Sequence, residues 1–243
     1  MTSEPSTPHG PAVISGAGSG IGRAVAVALG RRGYPLALLG RREGPLRETV
    51  EAALEGSRGE GLALPCDVRD WGAVEEAGRR VLDTYGTPDA VVPAAGVVAV
   101  GPADELAPEA FRECVETNLL GTFHLIRTFL PAMKEAGRGR LLPVLSVAAT
   151  RGFPTWAAYC AGKWGVRGLV ASLREELAGS GVLVTALYPG ATATDLWNEI
   201  PGEWDRSRMV PVDEVARAVL YVLETEEPAL VEELHVGPAG GAL

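Results

Sequence analysis

Lysine is almost missing from this chain: Lys134 and Lys163 are the only two among 22 basic residues. Arginine is the default cation here, so a retained lysine points to a place that needs a compact ammonium rather than a planar fork. Cysteine is also scarce. Cys66, Cys114 and Cys160 are odd in number and far apart, which excludes a disulfide scaffold or a close-spaced thiolate site and fits reduced thiols in a cytoplasmic setting. His9, His124 and His235 are equally dispersed, and no metal site is expected from them. No apolar run approaches a membrane span, and residues 1–8 carry neither the basic nor the apolar region of an export signal, so a soluble, cytoplasmic chain without a membrane partner is expected. Positive charge is in deficit, with a formal net charge of −9 over 243 residues. That balance disfavours nucleic acid as a partner, and any anion site must be local.

What is present is an alternation. Apolar runs at 11–15, 36–39, 62–66, 90–94, 141–146, 183–188 and 234–236 read as buried strands, and the intervals between them are helix-sized. Continuous apolar strands separated by helices imply a parallel sheet covered on both faces, with right-handed crossovers. The expected fold class is therefore α/β, a doubly wound parallel sheet of about seven strands in a single domain spanning 11–243. Residues 1–10 are expected to be a disordered lead-in. Residues 191–210, rich in Trp, Pro and Asp between a strand and a helix, are a candidate substrate lid.

Two features carry chemistry. Ser15, Gly16, Gly18, Ser19, Gly20, Ile21 and Gly22 form a glycine-rich turn directly after the first strand and open a helical pattern. Glycine lets backbone amides approach a pyrophosphate seated on the positive end of a helix, so a dinucleotide is the expected ligand. An NAD-binding chain would place a carboxylate about twenty positions on, to hold the ribose 2′-hydroxyl. Here Gly40 is followed by Arg41 and Arg42; glycine leaves room and guanidinium suits a 2′-phosphate, which favours NADP (NADPH) over NAD. The second feature is Tyr159 and Lys163, four residues apart on one helical face. A neighbouring cation favours phenolate, so this pair is expected to bring the phenol's proton within reach of carbonyl chemistry.

Together with Asp67, Asn118, Ser146 and the Pro189-Gly190 pair, these motifs resemble the short-chain dehydrogenase/reductase family, in order and over almost the whole chain. The resemblance implies a Rossmann-like domain and hydride transfer between NAD(P) and a carbonyl or alcohol. It implies that Tyr159 is the general acid/base, that Lys163 lowers its pKa and holds the nicotinamide ribose, that Ser146 bonds the substrate oxygen and that Asn118 supports a water in the proton relay. It also implies that Asp67, with Val68, lies at the adenine side, although capping of the next helix is an equal alternative for Asp67. Ala95 and Gly96 would approach the cofactor, Pro189 and Gly190 would pass close to the nicotinamide, and Thr192 or Thr194 would bond its carboxamide. One departure is Pro93-Ala94-Ala95-Gly96, where the family usually has Asn-Asn-Ala-Gly.

Val97, Arg151, Phe153, Trp156, Trp197, Trp204 and Met209 are the candidate substrate wall and suggest a hydrophobic small-molecule carbonyl or alcohol. Small residues after Trp156 (Ala157, Ala158, Ala161, Gly162, Gly165, Gly168) suggest close helix packing, and the resemblance implies a homotetramer or a dimer. The alternatives are a 3-oxoacyl-carrier-protein reductase, for which Arg138, Arg140 and Arg151 would have to attract the acidic carrier, and a non-catalytic NADP-sensing protein.

Overall fold

The computed structural model describes residues 10–56, 59–226 and 228–241. The expected disordered lead-in lies outside them, apart from Gly10, whose N–H donates to Asp89 Oδ2 at 2.5 Å. Among the described residues no helix is long and apolar enough to cross a membrane.

Strands β1 (Ala12–Ser15), β2 (Leu36–Gly40), β3 (Gly61–Pro65), β4 (Ala90–Pro93), β5 (Gly139–Leu141) and β6 (Val182–Val184) form one parallel sheet in the order β3-β2-β1-β4-β5-β6. Helices α1 (Gly20–Arg31), α2 (Glu43–Leu54), α3 (Trp71–Tyr85), α4 (Pro108–Val115), α5 (Gly121–Ala136), α6 (Ala157–Glu176) and α7 (Val212–Glu224) fill the connections. Successive strand residues face opposite sides, which explains the two separate cores. Val13, Leu39 and Val91 pack beneath α3, α5 and α6 with Phe129, Val166 and Val170. Ile14, Leu38 and Val92 pack beneath α1, α2 and α7 with Leu29, Leu46 and Val219. Burial on both faces is why these strands read as unbroken apolar runs.

The strand count differs slightly from seven. The 183–188 run divides into β6 and β7 (Ala186–Pro189), and β7 pairs with β8 (Glu233–Val236) as a separate ribbon. The division has a local cause. Pro143 has no N–H to give to a ladder, and the Thr185 hydroxyl turns aside to the Val231 carbonyl at 2.5 Å. Backbone bonds from Leu145 N to Leu187 O (2.8 Å) and from Leu187 N to Pro143 O (3.1 Å) still tie the ribbon to the main sheet. The carboxyl ends of β1, β4, β5 and β7 thus converge on one edge, where ligands bind in open α/β sheets.

Candidate active site

At that edge β1 runs into the glycine turn. Gly16 (φ +67°) and Gly20 (φ +52°) adopt left-handed conformations, and a methyl group on Gly16 would lie 2.8 Å from the Ala95 backbone. Ser19 is the N-cap of α1 but makes no side-chain cap bond, and the first turn of α1 holds no carboxylate. Amides and the positive end of the helix therefore face the cleft uncompensated. Gly16, Gly18, Ser19, Gly20, Ile21, Gly22, Gly40, Arg41, Arg42, Asp67, Val68, Ala95, Gly96, Tyr159, Lys163 and Thr194 all line one cavity of about 550 Å³. Arg41 and Arg42 are exposed at its far end.

Asp70, not Asp67, caps α3 by accepting from Ala73 N at 3.1 Å. Asp67 instead grips Arg69, accepting from its backbone N–H at 3.0 Å and from its guanidinium at 2.7 to 3.1 Å. These bonds hold the Asp67 carboxyl below its usual range, and Arg69 reaches on to Glu113. Arg69, also in the cleft wall, was missed in the sequence because nothing in its spacing marks the contact with Asp67 that holds it there.

Ser15 is buried beneath the turn rather than in the cleft. Its Oγ accepts from Ala94 N and Ala95 N, both at 3.2 Å, so a hydroxyl on β1 shapes the loop after β4 in which the usual two asparagines are replaced. Pro93 is the last residue of β4; it has no N–H to give to β5, but its carbonyl still accepts from Val144 N at 2.9 Å.

Tyr159 and Lys163 lie one turn apart on α6. The Lys163 ammonium is 5.6 Å from the centre of the Tyr159 ring and donates to the Val144 carbonyl at 2.8 Å. The expectation that Lys163 would pull the phenol's pKa down is not met in this structure. Burial pushes Tyr159 up to about 12, with a hydrogen bond to Ser146 acting in the opposite direction, and burial brings Lys163 down to about 8. The two cavities leave Tyr159 in partial contact with solvent, yet enough protein surrounds its hydroxyl for desolvation to dominate. At neutral pH the site presents a neutral phenol.

Asn118 is fully buried in a π-helical turn, Glu116–Leu120, between α4 and α5. Its Nδ2 donates to Val97 O and Cys114 O, both at 2.8 Å. Its Oδ1 is buried with no protein partner and faces the space above Gly96. A Cβ there would lie 2.8 Å from Oδ1 and 3.8 Å from Lys163 Nζ. Glycine at position 96 thus keeps open a polar gap joining asparagine to lysine.

Ser146 begins a short 3₁₀ turn (Val147–Ala149), its Oγ accepting from Ala148 N at 3.1 Å. It lines a second cavity of about 420 Å³, with Tyr159 and Thr194 shared between the two. Pro189, Gly190 and Thr192 border this second cavity rather than the first. Thr192 is buried, and its hydroxyl donates to Gly190 O at 3.0 Å; of the two threonines, only Thr194 reaches the cofactor cleft. The 191–210 segment is anchored at its base by Val210 N to Ala191 O (2.8 Å) and Ala193 N to Val210 O (2.9 Å), and it lays Trp197, Ile200 and Trp204 over the second cavity. Arg151, Phe153 and Trp156 complete the expected wall, but Val97 and Met209 do not belong to it. Val97 lines the first cavity and Met209 is core, 5 % exposed. Arg138 and Arg140 also lie elsewhere, engaged with Asp89 and the Thr225 carbonyl. Among the described residues no group of His, Cys, Asp or Glu could hold a metal ion.

A parallel sheet ordered 3-2-1-4-5-6, a glycine turn under an amide-lined helix end and the Ser146, Tyr159 and Lys163 cluster define a nucleotide-linked oxidoreductase architecture. The short chain dehydrogenase family matches residues 11–204, and the chain belongs to the short-chain dehydrogenase/reductase family. Sepiapterin reductase of Chlorobaculum tepidum is 32% identical over 237 residues, covering 94% of this chain and 96% of that protein. D-threitol dehydrogenase of Mycolicibacterium smegmatis is 33% identical over 243 residues, covering 95% and 91%. The alcohol dehydrogenase of Thermococcus sibiricus, solved with 5-hydroxy-NADP, superposes with a TM-score of 0.89 at 33% identity, covering 97% of this chain and 99% of that one.

Proposed function

We propose that the protein is an NADP-dependent reductase of a small-molecule carbonyl, working reversibly as an alcohol dehydrogenase. The observation that carries this reading is the junction of the two cavities at Tyr159, with Ser146 on one side and Lys163 on the other. The first cavity suits a dinucleotide: its glycine cradle has no room for a side chain at Gly16, its helix end carries free amides, and Arg41 and Arg42 in its lining would hold a 2′-phosphate. Bound there, the cofactor would supply a hydride to the carbonyl carbon, giving the alcohol and the oxidised nicotinamide with uptake of one proton.

The chain's own residues handle that proton and the oxygen. As negative charge develops on the substrate oxygen, the Ser146 hydroxyl and the Tyr159 phenol donate to it, and Tyr159 delivers its proton. A phenol kept neutral by burial is the form that reduction consumes. Lys163 has two ammonium protons beyond the one given to Val144, available to a ribose. The polar gap between Asn118 Oδ1 and Lys163 suits a water that refills the phenol. Thr194 would serve the carboxamide and Asp67 the adenine side, with Pro189 and Gly190 bordering the nicotinamide. The exposed apolar residues Phe111, Leu120, Phe123 and Trp164 on α4 to α6 favour a homo-oligomer, a dimer or tetramer, and the cytoplasm is the setting we assign.

The experiment is NADPH consumption with a ketone panel, native against Tyr159→Phe. Loss of about 10²–10⁴-fold in kcat with NADPH affinity preserved is expected for a removed general acid. Unchanged turnover would overturn the assignment, and NADPH binding with no turnover of any carbonyl by native protein would favour a sensor.

A further inference from the structure

Three indole rings wall the second cavity, and the polar edges of two are already used. Trp197 Nε1 donates to Thr192 O at 2.8 Å and Trp204 Nε1 to Ile200 O at 3.3 Å. The two rings lie 4.8 Å apart, Trp156 is 6.3 Å from Trp197, and Trp156 stands nearly perpendicular to Tyr159 at 5.6 Å. Indoles bonded to backbone in this way offer their π faces to a ligand and no donor. A polyol placed against these two rings would leave the hydroxyls that face them without hydrogen-bond partners. A flat aromatic ring carries no such cost and gains offset or edge-to-face contact.

One fully charged side chain lines this cavity among the described residues, and it is Arg151. Its guanidinium carbon sits 4.7 Å over the Phe153 ring. Arg151 is exposed at the rim and takes part in none of the ion pairs among the described residues. Stacking occupies the face of a guanidinium and leaves its N–H edges free, the geometry that suits a planar two-oxygen acceptor. The cavity therefore combines an apolar aromatic slot, a cation at its border and the Ser146 and Tyr159 hydroxyls.

We infer that the substrate is an aromatic ketone or aldehyde bearing a carboxylate, its ring held by Trp156, Trp197 and Trp204, its carboxylate by Arg151 and its carbonyl oxygen by Ser146 and Tyr159. This rests on the reductase reading above and deepens it. On this inference a polyol is a poorer substrate than a flat aromatic carbonyl, because the Trp197 and Trp204 rings give it no donor.

The test measures NADPH-dependent turnover of the three ring isomers of acetylbenzoate, the matching acetylbenzamides and the ketotetrose erythrulose. The best acetylbenzoate should exceed its amide about tenfold in kcat/KM, as a charge-assisted bond provides, and erythrulose should fall below both. Arg151→Gln should collapse the acid-to-amide ratio toward one through KM rather than kcat, and Arg151→Lys should restore part of it. A ratio near one in native protein, a ratio untouched by Arg151→Gln, or a preference for erythrulose overturns the inference while leaving the reductase reading intact. If no ketone turns over, the reductase reading fails, and tryptophan-fluorescence titration still decides the anion site. Preferential binding of an acetylbenzoate that is lost in Arg151→Gln supports it; equal binding of acid and amide overturns it.

Discussion

A buried ammonium with a single carbonyl partner, as at Lys163, is held against its preference for water. Its folded-state pKa of about 8 lies below the ordinary 10.5, so the unfolded chain binds this proton more tightly. The penalty is present in full below pH 8 and is relieved as pH rises from about 8 to 10.5. Tyr159 acts in the next window: its pKa is raised to about 12, so stability falls as pH climbs from about 10 toward 12. Comparing native protein with Lys163→Met in urea unfolding, we expect native stability to gain on the variant between pH 7 and pH 9.5. A difference that stays flat or shrinks would show that Lys163 is not desolvated as described. At this scale the Tyr159 and Lys163 pair was legible from its four-residue spacing, whereas Ser146 and Asn118 entered through the family resemblance. The balance of burial against charge, and the Val144 carbonyl that accepts the lysine's hydrogen bond, were not legible, since both depend on how deep α6 sits.

Among the described residues, Thr155 is the one non-glycine residue with positive φ, at +67°. It lies in the loop that delivers Trp156 to the cavity, and its carbonyl accepts from Gly101 N at 2.9 Å. A β-branched residue in the left-handed region costs about 1–2 kcal/mol, whereas asparagine tolerates it. Thr155→Asn should raise thermal unfolding stability by about 0.5–1 kcal/mol, and a loss of stability would show that the Thr155 side chain contributes more than its strain. Strands were legible from their apolar runs because both faces are buried, and the glycine turn from its place between β1 and α1. The break that makes β7 and β8 a ribbon was not legible: Pro143 and Thr185 sit inside apolar runs, and only tertiary pairing shows that Pro143 leaves a ladder bond unmade and that the Thr185 hydroxyl bonds Val231 O. The π-helical turn at Asn118 was equally silent, because one extra residue in a helix leaves the hydrophobic period almost unchanged.

The small residues of α6 divide between inside and outside. A Cβ on Gly162 would meet Asn118 at 3.1 Å and one on Gly165 would meet Leu119 at 2.7 Å, while one on Gly168 would meet open space. Part of the stripe thus serves packing within the chain, and the remainder lies on a helix that also exposes Trp164 at 45%. For the proposed homo-oligomer, Trp164→Glu should shift sedimentation toward the monomer without loss of helical signal, because a carboxylate cannot be buried unpaired at an apolar contact. An unchanged sedimentation coefficient would place the interface elsewhere.

On the function proposed above, the junction of the two cavities is where a hydride would pass from a cofactor on the Tyr159 and Lys163 side to a carbon beside Ser146. NADPH carrying deuterium on the transferred position of nicotinamide C4, each face labelled in turn, tests it most directly by mass spectrometry of the product alcohol. Deuterium is expected on the carbinol carbon from one face and none from the other; an alcohol formed without label from either face, or no alcohol from any carbonyl, would rule out hydride transfer at this junction.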